Sequence, residues 1–252
     1  MSISFHNKPI PEPYTIYVRN FDFERYLEYA HEDINCELIH GVLIIHSPVS
    51  LENEIIFKFM LTLLDLYVHK KKLGLVVGSR FTMNLSSKWA PESDIMFIAS
   101  DSESTLKETY LDGPATVVIE ILSPSTQKDD LNKKLPKYLK SGVKEVWIVD
   151  PMKKNFTTHW SKDQSRIYKE SEWTKSKIIP EFRLKVNWLW KAKSISVLEK
   201  LKELKGEEKK LLSLLSLIIF LIIRNILNSL IISKNKTSHF CIFWDYYDKL
   251  DI

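Results

Sequence analysis

The sequence predicts a mixed α/β fold, and three observations carry that expectation. Residues 116–122 read TVVIEIL, a nearly unbroken β-branched run of the kind found in a strand buried on both faces. Residues 146–149 (VWIV) form a second such run, turned by Asp150-Pro151. Between them lies a basic stretch at helical spacing, from about residue 129 to 141, with Pro136 expected to kink or restart it and Gly142 placed to end it. The rest mixes strands and helices without regular alternation, so α/β and α+β both remain open at this point.

In chain order, residues 21–31 (FDFERYLEYAH) carry aromatic and leucine side chains at helical spacing and predict a helix. Residues 36–45 (CELIHGVLII) predict two short strands hinged on Gly41. Residues 51–70 repeat Ile55, Phe59, Leu63, Leu66 and Tyr67 along one helical face. Residues 75–83 and 94–98 predict strands, as do 156–160 and 182–186. Thr126 followed by Asp129 suggests a capping box opening the basic helix.

Composition excludes several classes. With 44% hydrophobic and 27% charged residues, the 252-residue chain is neither disordered nor fibrous. Two cysteines, Cys36 and Cys241, are too few for a disulfide scaffold, and a reducing cytoplasm is the natural setting. Six glycines leave no phosphate-cradling glycine loop. The net charge of +4 is too small to argue for nucleic acid by itself. The first 14 residues hold no apolar run of the kind a secretory signal needs.

Composition shifts near Gly206, which divides a working domain, 1–206, from an appendage, 207–252. In the appendage, residues 211–232 hold 16 apolar residues of 22. That length matches a bilayer core, but Arg224, two Asn and three Ser oppose insertion. Membrane association through 211–232 and a helix that docks or forms a homodimer are both open.

The chemically informative residues are acids in apolar strands. Glu120 lies inside TVVIEIL, Asp94 opens DIMFI and Glu37 opens ELIHGVLII. Burying an ionised carboxylate costs several kcal/mol unless a cation or donors meet it. Any one of them read alone is a strand-end acid bonded to a neighbour. Three together suggest carboxylates on neighbouring strands sharing a hard cation. His40 and His46 read as structural, and Trp147 and Trp160 as core. Lys133, Lys137, Lys140 and Lys144 form either a phosphate-binding stripe or a solvated helix face.

Glu37-Leu-Ile-His-Gly41, Ser47-Pro48, Ser93-Asp94, Glu120-Ile-Leu-Ser-Pro-Ser125, Asp130…Lys134…Tyr138, Gly142-Val-Lys-Glu-Val-Trp147 and Val149-Asp-Pro151 stand in that order. Over roughly residues 20–190 this string resembles the restriction-endonuclease family of small prokaryotic proteins in the PD-(D/E)xK nuclease superfamily. The resemblance implies a four- or five-stranded mixed sheet flanked by helices, with a magnesium (or manganese) phosphodiesterase site at a sheet edge. On it, Asp94 and Glu120 are the metal-binding acids, Glu37 joins them, and DNA is the substrate. The superfamily lysine two residues after the second acid is replaced by Leu122, and Lys134 stands at the position thought to supply it. Read without the resemblance, Lys134 is one half of a surface i,i+4 pair with Asp130. Asn53 stands where the family usually shows a His. Leu122 and Asn53 keep a second reading in play, a nuclease-derived binding or regulatory module without turnover. On the nuclease reading, Lys134→Ala is expected to abolish cleavage with the fold intact.

Overall fold

The computed structural model describes residues 4–5, 8–9, 14–30, 35–46, 49–78, 81–204, 219 and 221–223. The chain forms two compact units, Met1–Leu204 and Lys205–Ile252. The apolar stretch 211–232 lies outside the described residues except at 219 and 221–223, where Ile219, Leu221, Ile222 and Ile223 are exposed. Among the described residues no helix is long and apolar enough to cross a membrane.

The larger unit is built on a six-stranded sheet. Its order is Gln164–Tyr168, Asn155–Ser161, Glu145–Asp150, Val117–Ile121, Ile95–Ala99, Gly74–Gly78. Val117–Ile121 and Glu145–Asp150 run parallel, and every other neighbour is antiparallel. A parallel pair needs a crossover, and the basic helical segment between the two strands supplies it. The sheet exceeds the four or five strands the resemblance implied. The outermost strand, QSRIY, is mostly exposed and carries no apolar run to announce it.

Both faces of the sheet are covered, as the β-branched runs require. Val117, Ile119, Ile121, Trp147 and Val149 pack under the long helix Leu51–Lys71, against Ile56, Phe59, Leu63 and Tyr67. On the other face, Val118, Leu122, Met96, Ile98, Val146 and Ile148 pack against Tyr138 and Val143. Glu120 shares this second face, because residues two apart point the same way along a strand.

The crossover is interrupted and restarted, as Pro136 leads one to expect. It runs as Gln127–Asp129 in α form, Asp130–Lys134 as a π turn, and Leu135–Ser141 in α form again, closed by Gly142 at φ 105°. Pro136 explains the break. It has no N–H to give the carbonyl four residues back, and its ring crowds that carbonyl. The widened turn relieves the crowding, and Pro136 then falls in the first turn of the new helix, where it is tolerated. The expected capping box does not form either, since Thr126 makes no side-chain cap. The Ser123 hydroxyl instead accepts from the Thr126 N–H at 3.2 Å.

A second, four-stranded sheet has the order Thr15–Arg19, Val42–His46, Cys36–Ile39, Trp89–Ala90. The predicted hairpin sits in it, joined by His40 and Gly41 with φ of 54° and 74°. Two successive positive φ angles make the type I′ turn that matches strand twist, and Gly41 is suited to it.

Glu145, at the start of its strand, is fully buried yet lies away from the other acids. It accepts hydrogen bonds from Trp160 Nε1 at 2.9 Å, Ser176 Oγ, and the Lys177 backbone at 3.3 Å. Trp160, expected in the core, is half-buried, with the Lys177 ammonium 3.6 Å from its ring centroid. Glu145→Ala leaves the Trp160 and Ser176 donors unpaired and is expected to cost about 1–3 kcal/mol. Chemical denaturation would read this as a lower midpoint, and an unchanged midpoint would mean that the donors find water.

Candidate active site

At one end of the six-stranded sheet, five carboxylates and one lysine gather in a largely buried cluster. Register places its first two members. Ile119 pairs with Ile95 in the antiparallel ladder, so the next positions outward, Glu120 and Asp94, face each other on the same side. They lie at the end of central strands, whereas the resemblance implied an edge. Asp94 Oδ2 accepts from the Ile121 N–H at 2.6 Å, which holds the carboxylate where its own strand stops.

Glu37 comes from the second sheet and Lys134 from the π turn. The Lys134 ammonium, in a residue only 3% exposed, lies 2.9 Å from Glu120 Oε1, 3.2 Å from Glu37 Oε2 and 3.3 Å from Asp130 Oδ1. It also donates to the Glu92 carbonyl at 2.9 Å. The Asp130–Lys134 pair therefore exists, but buried, and the surface reading of it is corrected. The structure thus brings Glu37, Glu120 and Lys134 into direct contact, with Asp94 opposite Glu120.

The substitution at Leu122 has a structural counterpart. Leu122 is buried in the core beneath the crossover helix, and the ammonium reaches Glu120 from that helix instead. Asn53 donates its side-chain N–H to the Leu122 carbonyl at 3.2 Å, tying the long helix to the end of the Glu120 strand.

Sequence reasoning missed several members. His46, read as structural, places Nε2 2.9 Å from Glu37 Oε1. The period of two and the hairpin register set it diagonally across from Glu37, within reach of long side chains. Tyr138 donates to Glu120 Oε1 at 2.6 Å. Glu92 gives its N–H to Glu37 Oε2 at 3.2 Å, and its own carboxyl meets Tyr26 Oη at 3.3 Å. Glu92 sits in a polar-looking loop, so nothing local in the sequence marks it.

The electrostatics follow from too many acids around one ammonium. Burial pushes Glu120 well above the usual carboxylate range, and Asp130 and Asp94 add to the shift against the pull of Lys134. Burial likewise raises Asp94 to about 6 and Glu92 to about 8, and moves Asp130 upward. Glu37 goes the other way: Lys134 and His46 overcome its burial and hold it at about 2. Burial opposes the charge on Lys134, but Glu120 and Glu37 outweigh it and raise its pKa. His46 is raised by Glu37 despite its burial.

A family model described as "Putative restriction endonuclease", Uma2, matches residues 23–187. The chain belongs to the Uma2 family. The crystal structure of a "putative nuclease belonging to DUF820" from Anabaena variabilis ATCC 29413 aligns with a TM-score of 0.59 at 15% identity, covering 68% of this chain and 98% of that one. At that identity the likeness establishes a shared fold. No curated protein matches the chain.

In this Uma2 chain the donors suit a hard divalent cation in kind. They are oxygens, and the carboxylates outnumber the cationic side chains beside them. Among the described residues, no group of three or more His, Cys, Asp or Glu side chains stands ready to hold a metal. Magnesium asks less of the protein, using one or two carboxylates and keeping waters, and Asp94 and Glu120 are carboxylates at the ends of neighbouring strands. Asp94 and Glu92 keep partial solvent access. Tyr138→Phe deletes the hydrogen bond to Glu120 and is expected to cost about 0.5–1.5 kcal/mol in a thermal melt without metal. An unchanged melt would mean that Glu120 Oε1 needs no donor beyond Lys134.

Proposed function

We propose that this Uma2 protein is a divalent-metal-dependent endonuclease that hydrolyses phosphodiester bonds in DNA, working in the cytoplasm. The observation that carries the reading is the buried Lys134 ammonium held by Glu37, Glu120 and Asp130, with Asp94 on the neighbouring strand beside Glu120.

Asp94 and Glu120, with the Ile121 carbonyl, would hold magnesium or manganese, and Glu37 would complete the shell directly or through a water. When bound, such an ion supplies Lewis acidity and a water of lowered pKa. Lys134, released from part of its carboxylate pairing once that charge is shared, would orient the attacking water or meet charge growing on the phosphate. An ammonium in a water-poor site is worth more there than in bulk solvent. His46 fixes the Glu37 carboxylate, and Tyr138 fixes that of Glu120.

The test is incubation of the full chain with plasmid, single-stranded DNA and RNA, with magnesium, manganese or EDTA. Metal-dependent cleavage lost in Glu120→Gln and Asp94→Asn is expected. Metal-linked stabilisation without cleavage of any substrate would replace the nuclease with the binding-module reading.

A further inference from the structure

A groove of about 800 Å³ opens between the second sheet and the crossover helix. Its sheet wall is made of cross-strand rows. Arg19 pairs with Val42, Val42 with Ile39, and Ile39 with Trp89. The next row, about 6.6 Å along at 3.3 Å per residue, runs Tyr17, Ile44, Glu37. Residues two apart share a face, so the sheet wall leads directly to Glu37 and hence to Lys134. The opposite wall carries Lys133, Lys137 and Lys140. No carboxylate lines the groove among the described residues.

Three features define what fits. The walls are cationic, and the burial and Lys140 that lower the Lys137 pKa show like charges crowded together. The sheet wall offers aromatic faces: Tyr17 is 54% exposed, and Trp89 is half-buried with the Lys137 ammonium 5.4 Å from its ring centroid. The shape is concave. Duplex grooves are read by projecting helices or ribbons, whereas a concave basic cleft with aromatic platforms suits unpaired bases and their backbone.

We propose that this groove binds an unpaired nucleic-acid strand, stacking a base on Trp89 and leading its backbone along Lys137 and Lys140 toward the Glu37–Lys134 end. The inference rests on the nuclease reading and sharpens it: the substrate is presented as a single strand. A duplex would have to be frayed, flapped or unwound to enter.

The experiment is fluorescence anisotropy with the full chain in EDTA, so that binding is read without turnover, using labelled single-stranded DNA, single-stranded RNA and duplex DNA. Tighter binding of either single strand than of duplex is expected, and the two single-strand arms identify the sugar. Trp89→Ala should weaken that binding at least about fivefold, and Trp89→Phe, which keeps a stacking face, should retain most of it. Lys137→Gln and Lys140→Gln, on the helix surface, should each lower the slope of log affinity against log salt by about 0.7. Equal or tighter duplex binding overturns the proposal, as does single-strand binding indifferent to Trp89→Ala, Lys137→Gln and Lys140→Gln. Single-strand binding through the groove without cleavage under metal would sink the nuclease reading and leave the groove standing. Duplex cleavage without groove dependence would do the reverse.

Discussion

Replacing Lys134 with alanine is expected to destabilise the metal-free protein by about 3–5 kcal/mol, the usual cost of stripping a buried charge of its partner. Three carboxylates rely on that ammonium, Glu120 at 2.9 Å, Glu37 at 3.2 Å and Asp130 at 3.3 Å. None of the three can turn freely to water, because Glu37, Glu120 and Asp130 are each 3–4% exposed. For a unit of this size the loss corresponds to a melting temperature lower by on the order of 10 °C. The sequence alone suggested that this variant would keep its fold, and the burial of the ammonium revises that expectation. Millimolar magnesium should recover part of the loss, since a cation placed among the same carboxylates replaces the missing charge. Thermal melts in EDTA and in magnesium check both parts. An unchanged melt in EDTA would mean that the acids simply protonate, and the ion-pair account of the cluster would be wrong.

The second large effect is in pH. Asp94 and Glu92 have pKa values raised to about 6 and about 8, so the folded state holds protons that the unfolded chain has released. Stability then falls as pH rises from the ordinary carboxylate range through those values. Glu37, held at about 2, works in the opposite sense: its contribution is present above the ordinary range and disappears as pH falls toward 2. Between about pH 5 and about pH 8 the raised acids dominate. The metal-free protein should lose on the order of 1 kcal/mol per pH unit there, less for the partly solvated Glu92. Bound magnesium requires ionised ligands, so it should flatten the slope, and its affinity should rise with pH. Melting temperatures across that range, with and without metal, decide the matter. A metal-free protein more stable at pH 8 than at pH 6 would contradict the crowding of acids described here.

The two central strands were legible because burial on both faces demands unbroken apolar runs, and TVVIEIL and VWIV have them. Glu120 was legible for the same reason, as the one charge in such a run. The hairpin announced itself through Gly41, and the long helix through its spacing. The short strands Thr15–Arg19 and Gln164–Tyr168 did not, because each is largely exposed and paired along one side only. Pro136 signalled a disturbance in the crossover helix, but its form, a π turn that ends at Lys134, depends on packing against the sheet.

The sequence by itself determined which residues had to be explained: acids in apolar strands have a desolvation cost that is local and readable. Only the tertiary structure decided what explains them. The positions of Lys134, Glu37, Glu92 and His46 come from the second sheet, a loop and a helix, far apart in the chain from one another and from the strands of Glu120 and Asp94. An ion pair formed between such elements leaves no periodic trace in any one of them. Its energy depends on distance and burial, which exist only after the two sheets and the crossover helix have packed.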